Sequence, residues 1–181
     1  MKAFVNGRLY TPQTLADDDV LLIDDGKIVA VGPAEEVAVP AGCEMIDVGG
    51  RIVTPGLIDL HIHGVLGYSC LGGELAQVAE ALPRFGVTAF CATTISAPVG
   101  HLLEQLEEMA DVIERPPRGA RILGIHLEGP HLSRKRPGMA RVDLQHPLEW
   151  DEMQRIQTAA RGHVNMITFA PEDGQAAELI P

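Results

Sequence analysis

The sequence predicts an α/β fold in which a small all-β segment precedes a parallel β-sheet covered by helices. Turn signals punctuate residues 1 to about 50 at short intervals, as they do between short strands. Beyond Thr54-Pro55-Gly56, near-continuous apolar runs alternate four times with segments of helical periodicity, the pattern of buried parallel strands and their crossover helices. The 181-residue chain is 46% hydrophobic and 22% charged, a balance that supports a real core.

In the first segment, Asn6-Gly7 stands between Phe4-Val5 and Leu9-Tyr10, and Asp24-Asp25-Gly26 stands between Val20–Ile23 and Ile28–Val31. Both read as hairpin turns, because Asn, Asp and Gly accept the left-handed backbone that a two-residue turn needs. Thr54-Pro55-Gly56 punctuates the chain there, giving expected domains over 1–53 and 54–181. Leu57 to His63 is the first long strand. Leu75, Val78, Ala79 and Leu82 then recur at helical spacing. Val87 to Thr93 is the second strand, and Leu102, Leu103, Leu106, Ala110 and Ile113 mark a second helix. Arg121 to Glu128 is the third strand. A Gly/Pro/Arg-rich loop leads to a helix over 147–161 and a fourth strand over 164–169, and Gly174–Pro181 starts a fourth helix. The pattern leaves two closures open, a doubly wound sheet or part of a barrel, the latter needing eight units and about 250 residues when complete.

The net charge of -11, with only Lys2, Lys27 and Lys135 as lysines, argues against nucleic acid or an anionic membrane as a partner, since both need a basic face. A small phosphorylated ligand needs only a few local donors and stays compatible. No apolar run reaches the ~18 residues of a membrane span. The start, MKAFVNGRLY, has no apolar signal region, so a cytoplasmic location is expected. Cys43, Cys70 and Cys91 are an odd, scattered set and read as small buried hydrophobes.

The strongest chemical signal is Asp59-Leu60-His61-Ile62-His63-Gly64 at the end of the first long strand. Residues i and i+2 of a strand share a face, so His61 and His63 project side by side and can ligate one metal ion. Two hydrogen-bonded core histidines are the alternative, and the strand-end position after Thr54-Pro55-Gly56 favours a metal. Gly64 is expected to let the chain turn sharply there. His126-Leu127-Glu128-Gly129-Pro130 ends the third strand, and His126 and Glu128 again share a face. Glu128 can complete or bridge a metal site, whereas His126 reads as a hydrogen-bonding supporter of the ligands. Glu172, after the fourth strand, receives no role.

Together these residues resemble the amidohydrolase superfamily and, within it, the N-acetylglucosamine-6-phosphate deacetylases. VNGRLYTP and IDDGKIVAVGP resemble that family's N-terminal β-segment, VTPGLIDLHIHG its first barrel strand, GVTAFCATTIS its second, GIHLEGPHLS its third and NMITFAPE its fourth. The T-P-G-x-I-D-x-H-x-H-G pattern belongs to the superfamily, and H-L-E-G-P narrows it to the deacetylase branch. Many amidohydrolases use a carboxylated lysine to bridge two metals. Here no lysine lies near the end of either later strand, Lys135 sits in a loop, and Glu128 matches the deacetylase metal glutamate instead.

The resemblance implies the first four units of a (β/α)8 TIM barrel, preceded by part of a small β-sandwich. It implies His61, His63 and Glu128 as ligands of one or two divalent ions, zinc above all. A metal-activated water would attack the acetamide of an N-acetylated amino sugar phosphate, and an acid would protonate the departing amine. It places further metal histidines, the proton-handling aspartate and most phosphate contacts after Pro181, so that this chain is expected to be a truncated form, inactive alone and prone to form a homodimer or larger assembly. After Gly138, where the family carries a substrate-contacting histidine, stand Met139 and Ala140, which leaves another N-acyl amino sugar open. Rival readings are a dihydroorotase- or dipeptidase-like amidohydrolase and a non-catalytic half-barrel.

Overall fold

A computed structural model of the chain describes residues 1–10 and 15–172, and the expected fourth helix over Gly174–Pro181 lies outside them. The chain divides into two compact units, Met1–Pro55 and Gly56–Pro181.

The first unit is one sheet of five strands: β1 (Lys2–Tyr10), β2 (Leu15–Asp24), β3 (Lys27–Pro33), β4 (Glu44–Asp47) and β5 (Ile52–Val53). Its order is β3-β2-β1-β4, with β5 also on β1. Among the described residues there is no second layer, so the expected sandwich is present here as a single sheet. Ala3, Val20 and Leu22 form its core, with Val5, Ala30, Val37, Val39 and Cys43 against them. The β2–β3 hairpin turns at Asp25 and Gly26, whose φ values of 45° and 71° suit the two-residue turn expected there.

The other expected hairpin does not form. Asn6-Gly7 lies inside β1, and Asn6 takes a φ of 55° at a register shift between Phe4 and Gly7. The same tolerance for left-handed backbone here makes a bulge instead of a turn. The bulge aims Asn6 at the segment after β4. Its carbonyl accepts from the Gly50 N–H at 2.7 Å, and its side chain donates to Asp47 at 2.9 Å. The Gly49 N–H and then Asn6 hold the Asp47 carboxyl below the usual carboxylate range.

The second unit opens with β6 (Leu57–Ile62) and a small hairpin, β7 (Gly64–Val65) and β8 (Tyr68–Ser69). There follow α1 (Leu75–Ala81), running on as a 3₁₀ turn to Phe85, then β9 (Val87–Thr93), α2 (Val99–Glu114), β10 (Arg121–Glu128), α3 (Trp150–Ala159) and β11 (Val164–Thr168). All four long strands are parallel, in the order β11-β10-β9-β6. Spatial order follows chain order with no reversal point, and a reversal is what defines a doubly wound sheet.

The helices form where the apolar spacing predicts, because those faces are buried. Leu75, Val78 and Leu82, then Leu102, Leu106 and Met109, then Ile156 and Ala159 join Phe90, Ile125 and Leu127 of the strands in one core. Each such large side chain stabilises the fold by about 1.5–3 kcal/mol. The three cysteines are free, and burial pushes the Cys70 thiol up to about 12, leaving it inert as a nucleophile. No helix among the described residues is long and apolar enough to cross a membrane.

The sheet of this unit ends at β6 on one side and β11 on the other, and neither outer edge has a partner strand among the described residues. On β6, Ile58 and Leu60 are 63% and 49% exposed. Open edges beside uncovered apolar side chains favour association. We expect the isolated chain to associate with itself, measured as a mass above the monomer by light scattering. Ile58→Lys/Leu60→Lys should shift it towards monomer, and a wild-type monomer at all concentrations would contradict this.

Candidate metal centre

His61 and His63 stand at the C-terminal end of β6, with their Nε2 atoms 3.2 Å apart. Glu128 ends β10, two strands away, and its Oε2 lies 3.3 Å from His61 Nε2 and 3.1 Å from His63 Nε2. The structure thus brings together the three residues singled out as ligands, each at its strand end. Separations of 3.1–3.3 Å match the edges of a tetrahedron around an ion held by bonds of ~2.0–2.1 Å. Two imidazole nitrogens and one carboxylate oxygen form a donor set of borderline character, suited to zinc and its neighbours more than to magnesium or calcium.

Backbone hydrogen bonds fix these positions. The His61 N–H donates to Asp59 Oδ1 at 3.0 Å, and the Cys70 N–H donates to the His63 carbonyl at 2.8 Å. Gly64 is needed here for close approach, since a Cβ would run into the Tyr68 carbonyl. The sharp turn expected beside it falls two residues on, at Leu66-Gly67, whose φ values are 52° and 88°. β9, between the two strands that carry the donors, ends in Thr93 and is followed directly by Thr94, which supply adjacent hydroxyls. Thr93 Oγ1 accepts from the Ile62 N–H at 3.0 Å, and Thr94 Oγ1 accepts from the Glu128 N–H at 3.0 Å and donates to the Glu128 carbonyl at 3.4 Å.

His126 is buried behind this cluster. Its ring meets that of His61 edge-on, with centroids 4.9 Å apart. Its nitrogens lie 2.8 Å from the Thr168 hydroxyl and 3.5 Å from that of Thr93. Its support of His61 is therefore ring packing, and its hydrogen bonds go to threonines. Burial, and then the neighbouring His61, push its pKa below the usual histidine value. Glu172 stands apart from the cluster. Its own backbone N–H and the Ser133 side chain hold its carboxyl low.

A cleft of about 540 Å³ opens beside the cluster, lined by His63, Glu128, Ser96, Met139, Ala140 and Arg141 among others. Arg141 Nε also donates to Asp143 at 3.1 Å. The loop after β10 and the start of α3 hold a second group of possible ligands, His131, His146 and Glu152. Sequence reasoning missed it, because its members span a loop and a helix start and share no periodicity.

The chain is similar in sequence and fold to several known proteins. A family model described as the NagA composite domain matches residues 1–53. The N-acetylglucosamine-6-phosphate deacetylase of Bacillus subtilis is 35% identical over 164 residues, which is 87% of this chain and 41% of the relative. The N-acetylgalactosamine-6-phosphate deacetylase of Escherichia coli O157:H7 is 29% identical over 96% of this chain and 45% of its own length. A mutant N-acetyl-D-glucosamine-6-phosphate deacetylase from Mycobacterium smegmatis, solved in complex with N-acetyl-D-glucosamine-6-phosphate, superposes with a TM-score of 0.84 at 31% identity, over 98% of this chain and 45% of that one. The chain therefore spans less than half the length of the relatives it matches.

The Thr94 hydroxyl joins β9 to the backbone on both sides of Glu128. Thr94→Val removes it and leaves the Glu128 N–H without that partner, which should cost about 1–3 kcal/mol. Thr94→Ser should cost less. Urea unfolding of the two variants beside wild type measures the difference, and equal stabilities for Val and Ser would refute the role.

Proposed function

We propose that this chain, whose sequence and fold are those of the N-terminal part of the N-acetylglucosamine-6-phosphate deacetylase family, supplies half of the active site of a metal-dependent deacetylase acting on N-acetylglucosamine 6-phosphate. The observation that carries this reading is the convergence of His61, His63 and Glu128 from two different strand ends at mutual distances of 3.1–3.3 Å. Parallel strands in unbroken chain order support the first four units of a (β/α)8 barrel over 54–181, behind a β domain over 1–53. In such barrels the active site lies at the C-terminal strand ends, where these three residues stand.

His61, His63 and Glu128 would hold a divalent ion, zinc by the character of the donors. When bound, the ion supplies Lewis acidity towards the acetamide carbonyl and the attacking water. His126, packed against His61 and kept neutral by burial, holds that ring in place without adding charge. The cleft beside His63 and Glu128 would take the sugar, with Arg141 as the cationic side chain among its described lining residues available to the phosphate. Met139 and Ala140 in the same lining, where the family carries a histidine, favour a second reading in which an N-acetylgalactosamine 6-phosphate is accepted as well.

A chimera tests this, with the present chain replacing the matching part of the Bacillus subtilis relative. Loaded with zinc, it should release acetate from N-acetylglucosamine 6-phosphate and leave dihydroorotate intact. Glu128→Gln should lower both bound zinc and turnover by more than the roughly 10–100-fold that losing an outer-shell partner costs. A folded chimera that holds zinc but releases no acetate from either amino sugar would overturn the reading.

A further inference from the structure

We propose that His131, His146 and Glu152 form a second divalent-cation site of zinc type, sharing no residue with the strand-end cluster, which ties the loop after β10 to the first turn of α3. Donor atoms of the three lie within 4.8 Å of one another. His131 comes three residues after β10, His146 lies late in the loop, and Glu152 sits in the first turn of α3.

His131 poses the problem that the ion solves. It is 2% exposed, and neither ring nitrogen has a hydrogen-bond partner among the described residues. The backbone at His146 and Pro147 runs alongside the ring without meeting hydrogen-bond geometry. Buried polar atoms left unmatched cost about 1–3 kcal/mol each, and groups of this kind mark places where an ion or water is expected.

His146 and Glu152 carry the argument to a cation. His146 Nδ1 lies 3.1 Å from the Leu144 carbonyl, which can only accept, so Nδ1 bears the hydrogen. Its Nε2 then faces Glu152, at 3.0 and 2.8 Å from the two carboxylate oxygens. In a neutral ring that nitrogen presents a lone pair to a carboxylate, an arrangement stable only with positive charge between them. A ring that donates one N–H to a backbone carbonyl while its other nitrogen binds is the usual setting of a metal-ligating histidine. Glu152 is itself only 7% exposed, and a buried carboxylate needs a countercharge. A protonated His146 would satisfy Glu152 but leave both His131 nitrogens orphaned, whereas a cation engages all three side chains. His131 meets His146 edge-on with ring centroids 5.1 Å apart. Two imidazoles and a carboxylate again select zinc-like ions over calcium and magnesium. The partly exposed side of His146 leaves room for water as a fourth ligand.

The test isolates this site in the full chain by removing the other with His61→Ala/His63→Ala, so that its result does not depend on the proposed deacetylase function. Cobalt(II) is the probe, read by visible absorption and by the rise in melting temperature. One equivalent should bind with the intense bands of a four-coordinate ion, and zinc should displace it. Adding His146→Gln or Glu152→Gln should weaken binding by at least about 100-fold, beyond the loss expected from an outer-shell partner. His131→Ala opens a core cavity, so the two more accessible positions carry the result, with far-UV circular dichroism confirming that each variant is folded. Absence of cobalt binding in the folded double variant overturns the proposal, as does binding that neither substitution weakens. An NMR spectrum showing both His146 nitrogens protonated in the presence of zinc would favour the imidazolium pair and overturn it as well.

Discussion

The position of β9 between β6 and β10 decides where every donor of the strand-end cluster lies. β9 pairs in parallel with both neighbours, and its last residues, Thr93 and the adjoining Thr94, turn their hydroxyls to opposite sides. One hydroxyl receives the backbone N–H between the two histidines, and the other receives the N–H of the glutamate. A slip of one residue in either pairing would send those side chains to the opposite face. The cluster is thus set by strand register, which the buried apolar side chains of Phe90, Ile125 and Leu127 in turn enforce.

Packing and charge act together at that strand end. His61 and His63 are half exposed, so their nitrogens stay open to a ligand, while His126 behind them is buried and held neutral. A second charge behind the histidine pair would compete with a cation in front of it. A neutral ring whose nitrogens are matched by Thr93 and Thr168 gives mechanical support without that competition.

Much of this was legible in the sequence, for particular reasons. The four strand–helix alternations could be read because their apolar spacing is the spacing of buried faces. His61 and His63 could be read because i and i+2 positions at a strand end need no tertiary information to be placed side by side, whereas Glu128, two strands away, could be read only as a strand-end carboxylate and by the resemblance. The helix expected over 147–161 spans only Trp150–Ala159, since Glu149 is extended and Arg161 takes a left-handed φ of 50°. Asn6-Gly7 was misread because a bulge and a hairpin turn draw on the same left-handed tolerance, and only the partner across the strand decides between them. The group of His131, His146 and Glu152 was invisible for a deeper reason. Its members meet through a loop, and loops have no period from which to infer which side chains converge.

That loop is also built differently from the strand ends it adjoins. Its root is held by polar contacts: the Leu132 N–H donates to Gln145, Gln145 donates to Ser96, and the His146 N–H donates to the Pro130 carbonyl. Between these anchors, residues 137–141 line the cleft with few apolar contacts to the core. Side chains there can change at little cost to the fold, as surface loops generally allow, whereas Glu128 and the threonines of β9 cannot. A substitution at Met139 or Ala140 therefore reshapes the cleft while leaving His61, His63 and Glu128 in place. The donor cluster and the cleft wall therefore rest on different parts of the fold: the donors on strand register, and residues 137–141 on the loop's own anchors.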